Sequence, residues 1–243
     1  MGFLGLFKKK EDENITLPNN DAERWIVGTY AMWSEYAEGD WHYFAGSTKK
    51  SGPEGASMRV MLRRDWDVSD KSALLEMVNY LTSKYQGKAC AEEEIASGAW
   101  NLCRATQLLG MGFVGGYIDR EEMIAESFKI GQLMQSLYHS WSDLYDSYLK
   151  GYKEWRSSQG DDGQSDIAER EELCLKLKNA PDGPCSLPVS YTHLDVYKRQ
   201  LQIWAFGFLR LFRPPQPTPF SDNTGRPPPA PACPLAPPSM QDE

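Results

Sequence analysis

Eleven of the chain's sixteen prolines fall between Pro214 and Pro238. Proline lacks the amide donor and clashes with the preceding turn, so this stretch cannot build a helix interior or a central strand. Its composition predicts an extended, disordered tail. The folded part of the chain must therefore lie upstream. Cap residues and helix-period apolar residues continue until about Leu187 and then stop.

That upstream part reads as all-α, one compact multi-helix domain over 19–187 with room for one short strand pair. Residues 1–18 read as a flexible leader. Asn19, Asn20 or Asp21 can cap a first helix, on which Trp25, Tyr30, Trp33 and Tyr36 form an aromatic face until Gly39 interrupts it. Residues 46–57 (GSTKKSGPEGAS) have loop composition, and 58–62 suit either a strand or a helix. Asp67 or Ser69 can open the next helix, with Leu74, Val78 and Leu81 on one side and Gly87 at its end.

Glu92-Glu93-Glu94 suit the positive end of a helix that aligns Ile95, Ala99, Leu102 and Leu109. Gly110, Gly112, Gly115 and Gly116 are expected to close it. Asp119 and Glu122 have the spacing of a capping box, and Ser140 with Asp143 repeats it. The first pair opens a helix carrying Met123, Phe128, Met134 and Leu137. The second opens one carrying Trp141, Tyr145, Tyr148, Tyr152 and Trp155, all read as core. SSQGDDGQSD (157–166) reads as a linker, and 169–178 as a last short helix.

Charge narrows the function. The chain has 26 Lys and Arg against 34 Asp and Glu, a formal net charge of −8. That balance opposes general adhesion to nucleic acid, which needs a basic surface to displace counterions. Five cysteines at irregular spacing read as reduced thiols of a cytoplasmic protein. Residues 1–10 place Phe3, Leu4, Leu6 and Phe7 before three lysines. They fit neither a secretory signal nor a myristoylation site, and leave only a weak membrane-surface contact.

The chemistry-bearing residues are few. GMGFVGG lacks the order of a phosphate loop and follows a helix, so its glycines read as helix termination and close packing. His42 and His139 lie in separate elements without the spacing of metal ligands, and neither a metal nor a cofactor is implied. The best cluster is Trp100, Asn101 and Arg104 with Glu121 or Glu122. Arg104 could offer a guanidinium to a carboxylate or phosphate. The structural alternative locks it onto a glutamate of the next helix, with tryptophan covering its stem. Asn101 supplies hydrogen bonds without charge.

GAWNLCRATQLLGMGFVGGYIDREEM and SWSDLYDSYLKGYKEW resemble a bacterial family of unknown function, numbered 1266. The resemblance rests on Ala99-Trp100, Arg104, the Gly112–Tyr117 turn, Glu121-Glu122, Gln135, Ser140-Trp141, Tyr148, Gly151 and Trp155, and is expected to span about 25–184. Family members usually carry Asp after the tryptophan or tyrosine at this place, where this chain has Asn101. They also share a proline and a tryptophan near the C-terminus, so the native protein is expected to continue past about residue 187. The resemblance implies no reaction, ligand or cofactor. PVSYTHLDVYKRQ (188–200) resembles a translated cloning or sequencing adaptor, which makes 201–243 an expected out-of-frame tail.

These readings point to a helical domain that binds a protein partner or small ligand. Trp141, Tyr148 and Trp155 join Trp100, Asn101, Arg104, Glu121 and Glu122 as candidate site residues. The alternatives are a hydrolase or transferase using Arg104 and nearby carboxylates, and a peripheral membrane protein attached through residues 1–10.

Overall fold

The computed structural model describes residues 16–86, 90–159 and 163–187. The described residues are almost entirely helical and contain no sheet or barrel. Their eight α-helices are α1 (Asp21–Thr29), α2 (Ala31–Tyr36), α3 (Gly52–Trp66), α4 (Lys71–Thr82), α5 (Glu92–Gly115), α6 (Arg120–Leu137), α7 (Trp141–Ser158) and α8 (Gln164–Asn179). Most of the leader, the adaptor-like stretch and the proline-rich tail lie outside the described residues. Thr16 is already buried, and its carbonyl accepts from the Phe44 amide at 2.9 Å.

The long α5 is the hub, packing against α1, α3, α4, α6 and α7, while α8 covers α2 and α7. From Ala105 to Gly115 every residue of α5 is buried. A helix apolar all round must sit in the middle of a core. Leu102, Leu108, Leu109 and Met111 supply that core from α5, and Leu62, Leu74 and Met123 meet them from the surrounding helices. Each such side chain contributes about 1.5–3 kcal/mol by leaving water. Nearer its N-terminus α5 reaches the surface along one side. Trp100, Asn101 and Arg104 lie there, each half-buried.

Local chemistry sets most of the helix starts. The Asn20 side chain accepts from the Glu23 amide at 3.0 Å. The Asp119 carboxylate accepts from the Glu122 amide at 2.8 Å, and Glu122 accepts in return from the Asp119 amide at 3.3 Å. Ser140 accepts from the Asp143 amide at 3.0 Å. The aromatic-faced first helix is broken into α1 and α2 at Tyr30.

Several expectations need correction. The 46–57 segment is not all loop, because α3 starts at Gly52 with Pro53 in its first turn. Proline is tolerated there, since a first-turn amide has no intrahelical acceptor. Residues 58–62 are consequently helical, and no strand pair occurs among the described residues. Asp67 adopts a left-handed conformation (φ 54°) that ends α3, and Asp70 caps α4 by accepting from the Ala73 amide at 3.0 Å. The helix stops at Thr82 and a 3₁₀ turn follows, while the expected stop, Gly87, lies outside the described residues. Gly110 and Gly112 sit inside α5, where a Cβ on Gly112 would stand 2.3 Å from Leu74 Cδ2. Gly116 (φ 81°) makes the turn. α8 begins at Gln164, absorbing part of the expected linker.

Candidate functional site

The exposed side of α5 carries Trp100, with Asn101 beside it and Arg104 one turn on. α7 closes over this turn at Gly151. A Cβ there would lie 2.4 Å from the Ser97 carbonyl oxygen and 2.5 Å from Trp100 Cβ, so only glycine permits the approach. The Trp100 ring then meets Tyr148 at 5.1 Å and Tyr152 at 5.3 Å between centroids, both edge-on, and Trp155 at 5.7 Å. Edge-to-face pairing suits the positive rim of one ring against the negative face of another. The Trp100 indole N–H is buried without a hydrogen-bond partner.

Arg104 lies against this aromatic wall. Its Cζ stands 4.4 Å from the Trp100 ring centroid and 5.2 Å from that of Trp66, at the end of α3. Its Nε donates to the Trp100 carbonyl at 3.3 Å, and Nη2 donates to Asn101 Oδ1. Asn101 in turn donates to the Tyr85 hydroxyl at 3.3 Å. No carboxylate among the described residues pairs with Arg104. Burial lowers its pKa to about 10, partly opposed by the hydroxyls of Tyr148, Tyr85 and Tyr80. The guanidinium is still charged at neutral pH.

A second arginine backs the cluster. Arg170 of α8 is buried, donates from Nη1 to the Tyr148 hydroxyl at 2.8 Å, and lies 3.7 Å from the Tyr36 ring centroid. Its Nε has no hydrogen-bond partner. Burial pushes Tyr148 up to about 12 against the opposing pull of Arg170 and Arg104, so its phenol stays neutral. The sequence did carry a trace of Arg170. It shares the inner face of α8 with Ile167, Cys174 and Leu177, at helical spacing.

The remaining expected site residues separate from this group. Glu122 caps α6 and pairs with Lys71, which lowers its pKa, and Glu121 is exposed in the same turn. Neither reaches Arg104, so the expected lock between Arg104 and a glutamate of the next helix does not form. Trp141 sits a heptad before Tyr148 and is core. Its ring lies 5.4 Å from that of Trp25, and its N–H donates to the Leu187 carbonyl at 3.2 Å. Trp155, expected in the core, is 39% exposed and forms the outer edge of the aromatic wall.

Sequence reading also missed the environment of His42. Its Nδ1 lies 2.7 Å from Asp40 and its Nε2 lies 3.6 Å from Asp182, at a cleft of about 360 Å³ lined by Arg24, Val27 and Trp41. Elsewhere, burial raises the Cys103 thiol well above its ordinary pKa, which makes it an inert apolar side chain rather than a nucleophile. No group of three or more His, Cys, Asp or Glu among the described residues is placed to hold a metal ion. No helix among them is long and apolar enough to cross a membrane.

Fold and site together define an all-α domain with an arginine–aromatic cluster at its surface and no metal-binding group among the described residues. Residues 84–195 match the model of the protein family of unknown function DUF1266. That match covers the whole arginine–aromatic segment of α5 and α7. It starts well after the expected Trp25 and runs on through Asp195. No curated protein and no solved structure matches the chain.

Proposed function

We propose that this is a binding domain whose site is the exposed side of α5 centred on Arg104, and that it recognises an anionic group, carboxylate or phosphate. The observation that carries the reading is a half-buried guanidinium without an internal counter-ion in an acidic chain. Arginine has five N–H donors. Nε and one N–H of Nη2 are used by acceptors of the same helix, so the Nη1/Nη2 end of the fork remains for a ligand's two oxygens. Pinning by Trp100, Asn101 and Trp66 fixes the cation beforehand, which reduces the ordering cost of binding. No general base touches the site, so the hydrolase or transferase reading has no support from it. We assign a cytoplasmic setting, consistent with Cys103 and Cys174 as buried thiols. The membrane alternative rests on residues 1–10, outside the described residues.

The test is a titration of isotope-labelled protein with sodium acetate and with inorganic phosphate, against sodium chloride at matched ionic strength. Saturable shifts of the Arg104 Nε–H and of the Trp66 and Trp100 indole signals are expected. The indole shifts should vanish in Arg104→Gln. Equal responses to chloride would overturn the proposal.

A further inference from the structure

Resting on the Arg104 reading above, we infer that the anion is a carboxylate presented by a partner protein, flanked there by apolar side chains. Charge stoichiometry is the first argument. Arg170 is buried on the Tyr148 hydroxyl, so Arg104 is the one reachable guanidinium of the cluster without a carboxylate, and one carboxylate matches it, whereas a dianionic phosphate calls for further donors or cations. The breadth of the surface is the second. Trp66 on α3 and Trp100 on α5 lie against Arg104, Trp155 on α7 packs on the Trp100 ring, and Tyr80 on α4 is near enough to act on the Arg104 charge. Tyr80 is 75% exposed and Trp155 39%, so two large rings of this cluster face solvent. A small acid would touch the guanidinium and leave these rings wet. A protein surface would cover all three, and arginine, tryptophan and tyrosine are the residue types that dominate interface energetics. The chain's overall negative charge does not forbid an acidic partner, because it is screened beyond about 8–10 Å at physiological salt.

Asn101 provides a built-in test. Its Oδ1 already accepts from Arg104 Nη2. Asn101→Asp places a carboxylate at the same position, neutralising Arg104 within the helix without changing its shape. The probe is a phage-displayed library of random peptides selected on the full chain. Enriched peptides are expected to hold Asp, Glu or a free C-terminus beside aromatic or aliphatic residues. Replacing that acid by its amide should weaken a synthetic peptide at least about ten-fold, the loss of one charge-assisted bidentate contact. Asn101→Asp should lose a similar factor with an undiminished melting temperature. Tyr80→Ala and Trp155→Ala should weaken the peptide severalfold while the acetate response at Arg104 persists. Selection of no peptide, selection of peptides without a carboxylate, or indifference to Tyr80 and Trp155 would overturn the partner inference. If acetate still shifts Arg104 in those cases, the anion site stands without it. If acetate fails as well, both readings fall.

Discussion

Gly151→Ala is the most direct probe of how α7 meets α5. The new methyl would stand 2.4 Å from the Ser97 carbonyl oxygen and 2.5 Å from Trp100 Cβ. Comfortable contact begins about 1 Å further out, and both obstacles are backbone or Cβ, which no rotamer change can move. The helices must therefore separate by about 1 Å along their shared surface. A gap of that size forfeits a quarter to a half of the dispersion energy of the contacts it opens. It would also stretch the Ser147 hydroxyl's bonds to α5, at 3.2 Å from the Ala99 amide and 2.9 Å to the Ile95 carbonyl. Overpacking of this kind costs ~3 kcal/mol at the upper end of its usual range. Alanine returns ~1 kcal/mol through its better helix propensity. The net expectation is a loss of ~2 kcal/mol. With a urea slope of about 1–3 kcal/mol/M, the unfolding midpoint should fall by roughly 1 M. Tryptophan fluorescence in equilibrium urea unfolding reads it directly. An unchanged or higher midpoint would mean that propensity governs the position and that the two helices are not in contact at Gly151.

Three further outcomes follow from other parts of the molecule. Glu23 is 2% exposed and pairs with Arg120 at 2.5 Å, so Glu23→Ala should cost ~3–5 kcal/mol by stranding a partly buried guanidinium; a thermal melt within a degree or two of the parent would contradict this. Trp141→Ala should cost ~3–5 kcal/mol as a core deletion. Trp155→Ala, at the rim, should cost about 1 kcal/mol, and equal costs in chemical denaturation would refute the division between the two rings. Acetate affinity at Arg104 should stay level from about pH 6 to 9 and decline as pH rises through about 10, because the lowered folded-state pKa sets where the cation disappears. A decline centred near pH 6.5 in an NMR titration would implicate a histidine instead.

What the sequence made legible was local. Asn20, the Asp119–Glu122 box and Ser140 act within three residues of themselves, so their roles can be read without knowing what packs above them. The inner faces of α5 and α7 were legible for the same reason, since helical period fixes which side chains share a side. Pro53 misled because a proline signals a break unless it falls in a first turn, and that depends on where the helix begins. The glycines at 110 and 112 misled because close packing of Tyr30 and Leu74 against α5 is tertiary information. The candidate site was half legible. Trp100, Asn101 and Arg104 share one helix, whereas Trp66, Tyr80 and Tyr85 arrive from other helices and turns. Glu121 and Glu122 seemed near Arg104 only because the turn between α5 and α6 is short. In fact α6 runs back along α5, and its first turn sits at the far end from Arg104.

The contrast between two arginines carries the functional argument further than the cluster alone. Arg120 meets Glu23, the Leu17 carbonyl at 2.9 Å and the face of Phe44, so its charge is neutralised within the fold. Arg104 has an aromatic setting of the same kind but only neutral acceptors from its own helix. Burial lowers its pKa to about 10, which disfavours the charged form by on the order of 3 kcal/mol. A leucine or methionine would fill an aromatic niche without that penalty, and an aspartate at 101 would remove it. Burial of an unpaired charge is a local rule broken, and such breaks concentrate where a chain does something other than fold. On the proposed reading, a carboxylate brought from outside would offset part of that penalty, with the side chain already held in place.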